Sequence, residues 1–134
     1  MGLVIGQTMW QCITGRPLGT FMLGGNLVTR NGDGGAWIAA PASTGVLGCT
    51  AFFATAISNA ETASGYSGWF IPSISQLQNP IYTNKSNWES ASGLFWSTTV
   101  GGTGYCYINM NNGGLGSCYT TNSFYIRAFR CVTY

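Results

Sequence analysis

The sequence predicts one α+β domain, with two short helices packed on twisted antiparallel sheets and a strand-rich C-terminal half. Three observations carry this. The 134 residues are 46% hydrophobic and include seven Phe, seven Tyr and five Trp, enough to fill one core. Apolar residues recur at three- and four-residue spacing from Phe52 to Ala60, and a capping box at Ser73 marks the start of a second short helix. Short apolar runs separated by Gly-rich turns fill the rest, most densely after Leu94.

Residues 1–17 mix apolar and polar types without helical period and close at Pro17, which reads as an N-terminal arm or an extra strand for assembly contacts; residues 18–134 form the domain. Phe21 to Thr29 and Ala36 to Ala40 flank Asn31-Gly32-Asp33-Gly34-Gly35, whose glycines supply the positive-φ positions of a β-hairpin loop. The same glycines are no phosphate cradle, because neither a Lys nor a helix start accompanies them. Thr50 is placed to cap a helix in which Phe52, Phe53, Ala56, Ile57 and Ala60 form one apolar stripe, ended by Gly65 and Gly68. Ser73-Ile74-Ser75-Gln76 matches a capping box, and Pro80 stops the helix it starts after about two turns. From Tyr82 to Gly93 the chain reads as a polar linker holding Lys85, Trp88 and Glu89. Strands follow at Leu94 to Val100, Tyr105 to Met110, Leu115 to Thr120 and Phe124 to Val132. A hairpin symmetric about Asn112 sets Cys106 opposite Cys118, as a crosslink or as a thiol pair.

Charge is the least ordinary property. Charged residues are 6% of the chain, against about 25% in soluble domains. Such a surface, covered by Gly, Ser, Thr, Asn, Gln and aromatics, associates readily, so burial against further copies is expected. Arg16, Arg30, Lys85, Arg127 and Arg130 are scattered, which argues against nucleic-acid binding. Five cysteines form no CxxC pair and there is no His, which argues against a zinc site; the odd count suits folding in a reducing cytoplasm. Residues 1–11 lack a basic n-region and a sustained apolar h-region, so they do not read as a signal peptide, and no run of about 20 apolar residues spans a membrane.

Catalysis has little to draw on. Without His, general acid-base chemistry needs paired carboxylates, and Asp33, Glu61 and Glu89 lie in three separate segments. No cysteine except Cys131, beside Arg130, has a basic neighbour to activate it. The expectation is a chain that is not an enzyme, with no cofactor and no metal, calcium included, because the strand Asn residues offer amide oxygens only. Binding is better served: Gly101 to Tyr125 is uncharged and rich in Tyr, Asn, Ser, Thr and Gly, a composition that gives rigid contact together with adaptable hydrogen bonds. Tyr105, Tyr107, Asn109, Asn111, Asn112, Tyr119, Asn122 and Tyr125 are the candidate binding residues. Alternation puts Tyr105, Tyr107 and Asn109 on one strand face and Cys106 and Ile108 on the other. Half-exposed Tyr in an ordinary strand-rich ending is the competing explanation. Trp69, Trp96 and Pro72 read as core, and of Arg127 and Arg130 at least one is expected to be held by backbone carbonyls.

An ordered set of pieces carries a resemblance: Gly24-Gly25, Gly34-Gly35-Ala36-Trp37-Ile38-Ala39-Ala40-Pro41, Gly68-Trp69-Phe70-Ile71-Pro72-Ser73, Gln76-Leu77, Phe95-Trp96-Ser97-Thr98-Thr99 and Arg130-Cys131-Val132. From about Leu18 to Tyr134 the chain resembles the C-terminal domain family of collagen-like bacterial adhesins, which shares the C-type-lectin-like fold of formylglycine-generating enzymes and of phage receptor-binding and virion surface domains. It departs from that family at Phe70-Ile71, where Arg-Leu is usual, and at Gln76, where Glu is usual. Cys106 and Cys118 lack the spacing and surroundings of the enzymes' cysteine pair, so that activity is not carried over. Together with the low charge, the odd cysteine count and the lack of a signal-peptide pattern, the resemblance leads to the expectation of a phage virion component made in the host cytoplasm, a tail tip, fibre or capsid decoration. The low charge leads to the expectation that its partners are itself, as a homo-oligomer with a trimer foremost, and other virion proteins, with a host surface glycan or protein as the further partner. A bacterial surface adhesin module binding polysaccharide is the alternative.

Overall fold

The computed structural model describes residues 16–30, 35–88 and 93–133. It is α+β, with two helices and two mostly antiparallel sheets. One sheet has the order β1-β2-β3-β9, from Phe21–Met22, Gly25–Arg30, Gly35–Ala39 and Phe129–Thr133. The other is β4-β8-β5-β6-β7, from Val46–Gly48, Phe124–Ile126, Leu94–Val100, Tyr105–Asn109 and Leu115–Cys118. Among the described strands only the β5–β8 contact is parallel.

The expected first hairpin forms, with Leu27 opposite Ile38, and its loop at residues 31–34 lies outside the described residues. Its first strand is not continuous. Leu23 and Gly24 adopt φ of 56° and 92°, a left-handed turn that folds Phe21–Met22 back on Gly25–Asn26. The expected strand at 124–132 is likewise two strands. After Ile126 the chain leaves one sheet, and at Phe129 it enters the other beside β3, an exchange of sheets that alternation within either half does not signal. The short strand β4 was not expected, because three residues are too few to show a period.

Helix α1 (Phe53–Ser64) ends on Gly65 at φ 75°. Thr50 does not cap it. Thr50–Phe52 form a preceding 3-10 turn, and the Thr50 hydroxyl and amide both turn to the carbonyl of Thr120, 70 residues away. Helix α2 (Ile74–Gln76) begins on the expected capping box, with both of its reciprocal bonds present. The chain leaves helical geometry at Asn79, before Pro80, as expected. It then coils again through Tyr82–Asn87, so the stretch read as a polar linker is partly helical and delivers Trp88 to the core.

Two apolar clusters result, because each sheet points alternate side chains to opposite sides. Leu27, Ile38, Trp96 and Ile126 meet Ala56 and Ala60 of α1 and Trp69. Val28, Trp37, Phe95, Ile108 and Phe129 meet Leu77, Ile81 and Trp88. Trp69, Pro72 and Trp96 are buried, as expected. The indole of Trp96 donates to the carbonyl of Gly48 at 3.0 Å, so its one polar group is satisfied inside.

Candidate binding face

The candidate residues begin on the β6–β7 hairpin. Its register pairs Tyr105 with Cys118, Cys106 with Ser117 and Tyr107 with Gly116. Cys106 is therefore not opposite Cys118. The hairpin is centred between Asn111 and Asn112 rather than on Asn112, and this half-residue shift puts the two cysteines on opposite faces, both as free thiols.

The predicted alternation holds, but the Tyr side is not the open side. Tyr105 and Tyr107 are half-buried and pack against the first cluster, Tyr105 at 5.7 Å from the Phe53 ring and Tyr107 at 5.0 Å from Phe124. The Tyr107 ring lies across Gly116, where a Cβ would stand 2.5 Å from its hydroxyl, so a side chain at 116 would push the ring aside. Ile108, on the other face, is buried as well, because the Leu77–Trp88 stretch covers that side.

Asn109, Asn111 and Asn112 sit together at one end of the hairpin, where two of them build the turn. The Asn109 side-chain oxygen accepts from the amide of Asn111, and that of Asn112 from the amide of Gly114. Beside them Lys85 donates to the Met110 carbonyl and lies 5.1 Å from the centre of the Tyr82 ring. Tyr119 and Asn122 are at the opposite end, four strand residues or about 14 Å away, on the loop that receives Thr50. Tyr119 is 66% exposed, while the Asn122 amide donates to the sulfur of Cys118. Tyr125 is on β8 and faces the other side of the sheet, directly opposite Leu47 and 5.4 Å from the Phe95 ring. The eight residues thus fall into four places: an inward-facing Tyr pair, an Asn turn, the Tyr119–Asn122 loop and the Tyr125–Leu47 pair.

Sequence reasoning missed the open apolar side chains. Leu47 is 60% exposed and Val100 75%, with Phe21, Phe52 and Leu115 also exposed. Isolated apolar residues at strand ends and edges carry no local sign of which way they face, so periodicity did not find them.

Four of the cations bond to backbone carbonyls, Arg127 from a buried position, Lys85 and Arg130 from half-buried ones and Arg30 at the surface. Arg30 donates to the carbonyl of Arg16, Lys85 to Met110, Arg127 to Ala40 and Arg130 to Leu23. Arg127 is buried over Trp88, and Arg130 stacks on Tyr66 at 4.5 Å and Trp69 at 5.7 Å. Desolvation lowers the Arg130 pKa, partly offset by Tyr66. Both arginines are thus held by carbonyls where at least one was expected to be. Among the described residues no three His, Cys, Asp or Glu side chains converge, and no helix is long and apolar enough to cross a membrane. Among the described residues the surface offers a ligand mainly amide and hydroxyl groups, aromatic rings and aliphatic side chains, with Glu61 as an exposed carboxylate.

Scanned against models of known protein families the chain matches none, and no curated protein is significantly similar to it in sequence.

Proposed function

We propose that this chain is a non-enzymatic structural and adhesion component of a phage virion, a C-type-lectin-like domain that works as a homo-oligomer. The observation that carries this reading is that the cations engage the chain's own backbone. The chain holds five Lys and Arg residues, and four of them donate to backbone carbonyls. A surface already poor in ionic groups thereby keeps still fewer to repel a neighbour, while large apolar side chains remain on it. Supporting the fold reading, strands from the two ends of the described chain share one sheet, both helices lie between them in sequence, and the second sheet comes mostly from the C-terminal half.

Host contact falls to the exposed part of the Tyr- and Asn-rich C-terminal region, first to the Tyr119–Asn122 loop, where an open ring stands among hydroxyl and amide groups suited to a glycan or a protein loop. Sedimentation of the full chain tests the assembly half of the proposal. One closed oligomer, with the mass of a trimer, is expected, and a strictly monomeric protein at millimolar concentration overturns it. Imaging of intact particles for density of this shape tests the virion half.

A further inference from the structure

We propose that Arg130, under the Tyr66 ring, is a carboxylate-binding site, and that the ligand it takes is an acidic sugar, a pyranose ring carrying a carboxylate. Its residues all come from one copy and none from the Tyr119–Asn122 loop, so the site does not rest on the oligomeric reading above.

Arg130 stands on β9, with its guanidinium 4.5 Å from the centre of the Tyr66 ring and 5.7 Å from that of Trp69. Rings stacked on a guanidinium occupy its faces and leave its in-plane N–H groups to bond. One of these is used, because Nη1 donates to the Leu23 carbonyl at 2.7 Å. Nε, on the other edge, is buried and has no hydrogen-bond partner among the described residues. A buried donor on a charged group without an acceptor calls for an explanation, and the group that answers it best is an anion. The edge formed by Nε and Nη2 matches the two oxygens of a carboxylate, which accept two parallel N–H bonds.

The rings are held from helix α1. The Ser64 hydroxyl oxygen accepts from the Trp69 indole and from the Tyr66 amide, both at 3.1 Å, and the hydroxyl donates to the Ala60 carbonyl at 2.8 Å. Gly24, at φ 92°, closes the wall: a Cβ there would stand 2.7 Å from that of Ser64 and 3.0 Å from the Tyr66 ring. Access is past Tyr66. Trp69 is 5% exposed and Tyr66 41%, so Tyr66 is the outer of the two rings. It stands between Gly65 and Gly68, at φ 75° and 86°, and among the described residues no atom lies within 4 Å of where a Cβ of either would be. The segment can therefore pivot at both glycines without collision. Swung outward, Tyr66 uncovers the Nε edge and presents an aromatic face beside it. The carboxylate of an Asp or Glu side chain uses only the edge. A uronate uses both, its carboxylate on Arg130 and the C–H face of its ring on Tyr66, which favours a sugar over an acidic peptide.

Titration calorimetry of the full chain at low salt, with digalacturonate, its methyl ester, acetate, sulfate and a tetraglutamate peptide, tests this. Digalacturonate is expected to bind, more tightly than acetate, and its ester not to bind. No binding of digalacturonate overturns the proposal. Equal binding of the ester also overturns it, because the carboxylate is then idle, as does equal binding of sulfate, because the site then takes any anion. A tetraglutamate that binds as tightly as digalacturonate overturns the sugar assignment in favour of an acidic protein. Arg130→Lys keeps the charge but loses the planar edge, and is expected to weaken digalacturonate by about tenfold or more. Tyr66→Ala, at an exposed position, is expected to bring digalacturonate down to the affinity of acetate. Unchanged affinity in either variant, once circular dichroism shows it folded, overturns the proposal, and should Arg130→Lys not fold, Tyr66→Ala decides alone.

Discussion

Arg127 shows what single residues contribute to this fold. Its Nε donates to Ala40 at 2.6 Å from a buried position over Trp88, tying the corner between β8 and β9 to the end of β3. Arg127→Ala removes a charge-assisted bond and leaves a buried carbonyl behind, so a loss of about 2–3 kcal/mol is expected in urea unfolding. Arg127→Lys is not expected to restore it, because a point charge cannot stack and bond as the guanidinium does. The two tyrosines that a binding scan would treat alike separate on the same grounds. Tyr107→Ala leaves a hole between Phe124 and Gly116 and is expected to cost about 2–4 kcal/mol, whereas Tyr119→Ala, at 66% exposure, is expected to change stability by less than about 0.5 kcal/mol. Unfolding curves of the two variants check this, and only the second is suited to a binding assay. Desolvation pushes the Cys131 thiol above its ordinary value. A group raised in the folded state contributes stability below its unfolded pKa and loses it as pH rises through the folded one. Stability at this position is therefore expected to fall on the alkaline side of the thiol range, and the pH midpoint of iodoacetamide labelling of Cys131 to lie above that of a free thiol.

Among the elements, the capping box at Ser73 was the most legible, since both of its bonds join residues three apart and need no distant partner. Ser73→Ala is expected to cost about 1 kcal/mol. Its effect reaches beyond α2, because Leu77 and Ile81, which follow the box, fill the second cluster. The Thr50 cap was a false signal of the same local kind. Thr50 has the right residue type, but the Thr120 carbonyl competes for it from 70 residues away. The break between β8 and β9 was hidden for a related reason. Ile126 and Phe129 both read as buried strand residues, and which sheet each joins is decided by strands nearly 80 or more residues earlier, Val46 for one and Ala39 for the other.

For the molecule as a whole, association that does not rest on ion pairs should be indifferent to ionic strength. Raising salt from low values to about 0.5 M is expected to leave the assembled fraction unchanged in sedimentation, where a charge-driven oligomer would dissociate. Low charge was readable from composition alone. That most of the cations bond to the chain's own carbonyls was not, because nothing in the neighbourhood of Arg30, Lys85, Arg127 or Arg130 in sequence says where its side chain ends.

The candidate binding residues divide along the same line. Composition singled out the uncharged, Tyr- and Asn-rich region, and alternation assigned the strand faces correctly. Which face water reaches was settled by α1 on one side of the sheet and the Leu77–Trp88 stretch on the other, and by a hairpin register that moved by half a residue. The sequence by itself determined what depends on neighbours within a turn or a strand: the α+β class, the capping box, the first hairpin and the burial of Trp69 and Trp96. Only the tertiary structure decided the exchange between sheets, the separation of Cys106 from Cys118 and the side on which each tyrosine lies. These follow from contacts between segments far apart in the chain, whose energies no local pattern contains.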